Sequence, residues 1–257
     1  MSGADDLGGK PPARLSPHAD LARLRALTPA RLRLDPAGGA APLSSVLGFA
    51  RDHALARDAI HLPVDWEALA AALPGAIRVQ SQAETRDVYL RRPDLGRRLA
   101  PDSRARLEAE AGAFDIAVML GDGLSANAAQ RGAPLVEAVR AALPGLSFAP
   151  TVLAEQARVG LGDDVGQALG AGLVLVLIGE RPGLSVADSL GAYLTLNPAP
   201  GAADSARNCV SNIHDNGGLS IEAAAARIAW LVRRARQIGA TGVALKDMSD
   251  AGPEALE

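Results

Sequence analysis

The run LVLVLI at residues 173–178 leaves a folding chain few options. It is far too short to span a bilayer, which takes roughly 20 apolar residues in a helix. It also lacks the polar–apolar alternation of a strand with one wet face. An unbroken apolar run of this length fits a strand covered on both faces, and such strands sit in parallel sheets flanked by helices.

The neighbouring segments continue that theme. FDIAVML at 114–120 reads as a strand, the loop 121–124 follows, and a helix runs to about Leu143. Residues 147–153 read as a second strand, and 162–169 as a short helix with Asp163 or Asp164 as its cap. After 173–178 come a weaker strand at 192–196 and a helix opened by Ser220. Ile228, Leu231 and Val232 recur at helical spacing there, up to Ile238, and GVALK at 242–246 reads as a closing strand. Strands alternating with helices imply parallel strands joined by right-handed crossovers. The expectation is therefore an α/β fold over residues 111–257, a Rossmann-like parallel sheet with flanking helices.

The rest of the chain differs in character. Residues 1–20 are rich in Pro, Gly and charge and read as a mobile tail. Residues 21–110 read as a helical appendage. Its expected helices cover 18–34 (Leu21, Leu24, Leu27), 43–60 and 64–73, the last ended by Pro74 and Gly75. Arg91, Arg92, Arg97 and Arg98 crowd around Pro93, either as a loop paired with nearby acids or as a subunit-interface patch.

Charge and cysteine content exclude several classes. The net charge of −3 over 257 residues offers no basic field for nucleic acid. The single cysteine, Cys209, cannot form an internal disulfide and fits a reducing compartment. The opening residues lack an apolar signal core. A soluble cytoplasmic protein with no membrane partner is expected.

In an open parallel sheet, ligands settle beyond the carboxyl ends of the strands. Three segments stand out as loops able to meet a ligand: GDGLSANA (121–128), GERPGLSVADSLG (179–191) and RNCVSNI (207–213). In the first, Gly121, Gly123 and Ala126 match a dinucleotide fingerprint, with Glu155 as a distant candidate for the ribose. Short glycine patterns are also common in tight strand-to-helix turns. The usual catalytic sets are missing: His18, His53, His61 and His214 lack ligand spacing, and Ser125 does not sit in a nucleophile elbow. Cys209 near His214 carries no implied base geometry. From these residues a dinucleotide-binding oxidoreductase and a non-catalytic scaffold both remain open.

Longer stretches narrow the choice. QSQAETRDVYLRRPDLGRRL, DGLSANA, GERPGLSVADSLGAYLT, ARNCVSNIHDNGGLS and TGVALKD lie in order between about residues 78 and 247. Together they resemble the small subunit of ethanolamine ammonia-lyase. TPARLRL and FARDHALARDAIH add to the likeness. The resemblance implies an adenosylcobalamin-dependent lyase that converts ethanolamine to acetaldehyde and ammonia. It further implies a large-subunit partner, a barrel holding the substrate site, with the cofactor between the two chains. Residue by residue, it implies that Val159, Glu180 and Cys209 contact the cobalamin. No Asp-x-His-x-x-Gly loop is present, as expected for a family that keeps the nucleotide base on cobalt. Some members carry a longer amino-terminal extension, so placement in a bacterial microcompartment rests on the family alone.

Overall fold

A computed structural model describes residues 23, 24, 26, 27 and 41–249. The expected tail 1–20 and most of the expected helix at 18–34 lie outside the described residues. The first elements are α1 (Leu43–His61), α2 (Trp66–Ala72), β1 (Ile77–Gln80), α3 (Arg86–Arg91) and α4 (Pro101–Glu108). They are followed by β2 (Phe114–Gly121), α5 (Ala126–Gln130), α6 (Gly132–Ala142), β3 (Val152–Glu155) and α7 (Leu161–Leu169). The chain then forms β4 (Ala171–Gly179), β5 (Leu190–Leu196), β6 (Asn208–Ile213) and α8 (Ile221–Ile238).

The strands form a six-stranded sheet in the order β1-β3-β2-β4-β5-β6. The expected α/β class is borne out. The apolar run at 173–178 is β4, near the centre, paired with β2 on one side and β5 on the other. Its alternate residues serve two cores. Leu173, Leu175 and Leu177, with Ile116, Val118 and Leu120 of β2, face the layer that holds α6 and α8. Val174, Val176 and Ile178, with Ala117 and Met119, face the layer that holds α7 and Leu107 of α4. Each fully buried Leu or Val contributes about 1.5–3 kcal/mol relative to exposure, which accounts for a strand built without a polar residue. Gly162 lets α7 lie flat, because a Cβ there would strike Val176.

Several details depart from the sequence reading. Only β1, β3, β2 and β4 run parallel; β5 and β6 are antiparallel to their neighbours β4 and β5. The connector 180–189 is shorter than the dozen or so residues a parallel crossover needs, so the chain turns back instead. RNCVSNI, expected as a loop, supplies β6. GVALK, expected as a closing strand, forms a 3-10 turn at Gly242–Ala244. The expected strand at 147–153 begins only at Val152, and Phe148 makes one isolated bridge to Ile116. The expected helix ending near Leu143 is broken at Arg131 into α5 and α6. β1, within the stretch expected to be helical, adds an edge strand. In the cationic cluster Arg91, Arg92, Arg97 and Arg98 are paired to Asp87, Asp94, Asp204 and Asp164.

Asp163 and Asp164 do not cap α7. Gly160 occupies that position without a side-chain cap, and both acids point into the protein. Asp164 accepts from Leu99 N at 3.0 Å and pairs with Arg104 at 3.1 Å. Asp163 holds Arg207, at the entry to β6, through two bonds of 2.6 and 2.7 Å. Arg207 also donates to Thr195 Oγ1 and Ala202 O, each at 2.9 Å. This buried fork ties α7 to the antiparallel edge. Removing one partner strands the other charge, at a cost of about 3–5 kcal/mol. Asp163→Asn should therefore lower the unfolding free energy by about that amount in urea titration; a loss below about 1 kcal/mol would show the pair to be dispensable.

Candidate functional site

The carboxyl ends of β2, β3 and β4 meet at one rim, where loops 121–125, 156–160 and 179–189 converge. Beside them lies an open hollow of about 450 Å³. Its walls are Gly123 and Leu124 from the first loop, Arg158 and Val159 from the second, and Gly179, Glu180 and Arg181 from the third. Tyr89 of α3, Ile178 of β4 and Tyr193 of β5 complete it.

Two glycines let these loops touch. Gly123 has φ of +53°, and a Cβ there would collide with the Gly179 carbonyl. A Cβ on Gly179 would collide with the carbonyls of Ser125 and Asp122. Leu124 N donates to Gly179 O at 2.9 Å, and Ser125 Oγ donates to Ala187 O at 2.8 Å. Gly121 presses on Ala157, where a Cβ would come within 2.8 Å of the methyl group. The dinucleotide-like glycines are thus explained by chain packing. The helix that follows, α5, is short, and Glu155 is engaged by Arg78 at 2.6 Å.

Asp122 locks the junction. Its buried carboxylate accepts from Gln156 N at 3.0 Å, Ala157 N at 2.9 Å and Arg86 Nη1 at 3.2 Å. Burial pushes this carboxyl up to about 6, against the opposing pull of those donors and the arginine charge. The sequence reading marked the loop but missed this acid. A charged residue between two glycines at a strand end was the available signal.

Glu180 reaches the hollow from the end of β4. Its carboxylate accepts from Ser189 Oγ at 2.5 Å and from Asn212 N at 3.3 Å. Among the described residues no ion pair joins it to Arg181, so its charge is not cancelled by that neighbour. Val159 packs on the α7-side core and faces the same hollow. Cys209 lies one strand further out. Val176, Tyr193 and Cys209 are in register across β4, β5 and β6, which puts their side chains on one face. The Cys209 thiol is exposed and lies against the Tyr193 phenol. Although the residue is exposed, its sulfur is partly desolvated against the sheet, and this, aided by the Glu180 charge, raises its pKa, so it stays a neutral thiol. Val159 and Glu180 therefore share one hollow, and Cys209 extends it along the sheet. Arg158, Tyr89 and Tyr193 belong to it as well, and the sequence reading did not single them out.

The buried acid sets a pH dependence. Asp122 is raised in the folded chain to about 6 from 3.8. The folded state therefore holds an extra proton between those values, and this group's contribution to stability falls as pH rises from about 4 to about 6. A shift of this size corresponds to about 3 kcal/mol. The stability difference between the wild type and Asp122→Asn, measured by urea unfolding across that range, should fall by up to this amount. A flat difference would contradict the assignment.

Comparison with known proteins bears on what such a hollow serves. Residues 18–246 match the family model described as ethanolamine ammonia-lyase light chain (EutC). A protein of Rhodopseudomonas palustris (strain BisA53), named ethanolamine ammonia-lyase small subunit, is 50% identical over 234 residues, covering 88% of this chain and 89% of that protein. One of the same name from Azotobacter vinelandii is 46% identical over 239 residues, covering 89% of this chain and 88% of its own. Another, from Ralstonia nicotianae, is 47% identical over 240 residues, covering 88% of each. With a family match over most of its length and relatives at this identity, the chain belongs to the ethanolamine ammonia-lyase light chain family.

Proposed function

We propose that this chain is the small subunit of an adenosylcobalamin-dependent ethanolamine ammonia-lyase, active only when joined to its large subunit. The observation that carries the reading, beside family membership, is that Val159 and Glu180 wall one open hollow, continued by Tyr193 and Cys209.

The residues fit such a cofactor. Pockets of about 300–1,000 Å³ enclose drug-sized ligands, and a hollow of about 450 Å³ is too small and too open to enclose a corrin. It offers a seat for one part of the ring, and the large subunit supplies the opposite wall. Glu180 presents a carboxylate already oriented by Ser189 and Asn212 N, suited to accept from the amide side chains of the corrin. Val159 gives an apolar contact, and Cys209 a small neutral one that permits close approach. When bound, the cofactor supplies the radical chemistry through cleavage of its cobalt–carbon bond, while the protein orients it and excludes side reactions. This chain's residues hold and cover. The described residues contain no cluster of His, Cys, Asp and Glu able to hold a metal ion, and no helix long and apolar enough to cross a membrane.

Mixing the chain with a competent large subunit, adenosylcobalamin and ethanolamine should release acetaldehyde, followed by a coupled alcohol dehydrogenase. Neither chain alone should do so. No turnover in the mixture would overturn the proposal. Glu180→Gln should raise the Kd of the complex for adenosylcobalamin by about tenfold or more, the scale of one lost charge-assisted hydrogen bond. Cys209→Phe should weaken it by filling the shelf.

A further inference from the structure

Among the side chains that wall the hollow, Arg158 has an incomplete set of bonds. Its Nη2 donates to Tyr89 O at 3.1 Å. Its buried Nε has no hydrogen-bond partner, and no bond engages Nη1 among the described residues. No carboxylate of the described residues lies within ion-pair distance of it. Arg86, close by, is the contrast: it donates to Ile60 O, Asp122 and Gln156 Oε1. Both guanidinium groups lie against the same ring, at 4.2 Å for Arg158 and 4.7 Å for Arg86.

That ring cannot move easily. Tyr89 is fully buried, and its hydroxyl donates to Ala157 O at 3.0 Å. The Arg158 backbone is pinned as well, its N donating to Gly96 O at 2.9 Å. Gly96 also presses on the Arg158 stem, where a Cβ would come within 2.8 Å of Cγ. Stacking and packing therefore fix the guanidinium plane without consuming its charge or all its donors. A charged group with unmet donors at the wall of a hollow is poised for an acceptor oxygen that arrives from outside.

We infer that Arg158 donates through Nη1 to an oxygen of the bound corrinoid, with Tyr89 as the positioning residue. The inference rests on the cobalamin reading above. Glu180 accepts and Arg158 donates in the same hollow, a complementary pair for a ligand whose rim carries carboxamides. The acceptor is an amide carbonyl of the corrin or a phosphodiester oxygen of its nucleotide loop; both are oxygens a guanidinium recognises.

The test uses the reconstituted two-subunit complex and equilibrium dialysis of cyanocobalamin and of cyanocobinamide, which lacks the phosphodiester. Arg158→Met should weaken cyanocobalamin by about ten- to a hundredfold. A parallel loss for cyanocobinamide identifies the amide oxygen, and an unchanged cyanocobinamide affinity identifies the phosphodiester. Either result supports the inference. Both ligands binding the Arg158→Met complex within about twofold of wild type would overturn it. Arg158→Lys keeps the charge and most of the stem but loses the planar fork, and should still weaken cyanocobalamin by about threefold or more. If Arg158→Met fails to assemble, wild-type affinity in Arg158→Lys overturns the inference. Failure of the wild-type complex to bind either corrinoid would sink the cobalamin reading itself, a separate outcome.

Discussion

The hollow rests on one buried carboxylate that ties the end of β2 to the end of β3 and to α3. Asp122 follows β2, grips the backbone after β3 through Gln156 N and Ala157 N, and draws in Arg86 from α3. Loop 121–125 then leans on Gly179 at the end of β4, an approach that only glycines at 123 and 179 allow. Beside that knot, Val159 and Glu180 both line the hollow. Arg86 extends the same knot to the ring of Tyr89, and through it to Arg158.

The second determinant is the reversal of the sheet after β4. The helix that packs on β5 and β6 is α8, on the face of Ala192 and Leu194. The opposite face of this antiparallel edge leaves Tyr193 half-buried and Cys209 exposed. A fully parallel sheet would have placed a crossover helix over that area. The reversal instead leaves a shelf level with the hollow, and the Asp163–Arg207 fork braces that same face one step along the strands, with Thr195 beside Tyr193 and Arg207 beside Cys209. A shelf open on one side suits a ligand shared with a second chain.

How much of this was legible in the sequence depends on whether the signal was local. The β4 run and the α8 periodicity are local, and both were read correctly; Ser220 caps α8 as its position suggests. Strand direction is not local, although the length of connector 180–189 was evidence against a crossover. β6 was hidden because NCVSNI alternates weakly and exposes Cys209 at a sheet edge. GVALK looked like a strand but has no strand beside it; Gly242, with φ of +74° under the Ser205 carbonyl, turns it instead. Asp163 and Asp164 sat where caps sit, yet their partners Arg207, Leu99 N and Arg104 are far off in the chain. Of the site, Val159, Glu180 and Cys209 came from the family resemblance. Asp122, Tyr89 and Arg158 act through three-dimensional neighbours that no spacing rule encodes.

In the proposed complex, cobalamin seats on the carboxyl-end rim of the parallel strands. Amide hydrogen exchange on the reconstituted complex, with and without adenosylcobalamin, reads this directly. Cofactor seated there should add protection concentrated in 121–125, 157–160, 179–191 and the adjoining part of β6. Protection confined to the other end of the sheet, around Gly75 and Phe148, or no change in these loops on cofactor binding, would contradict it.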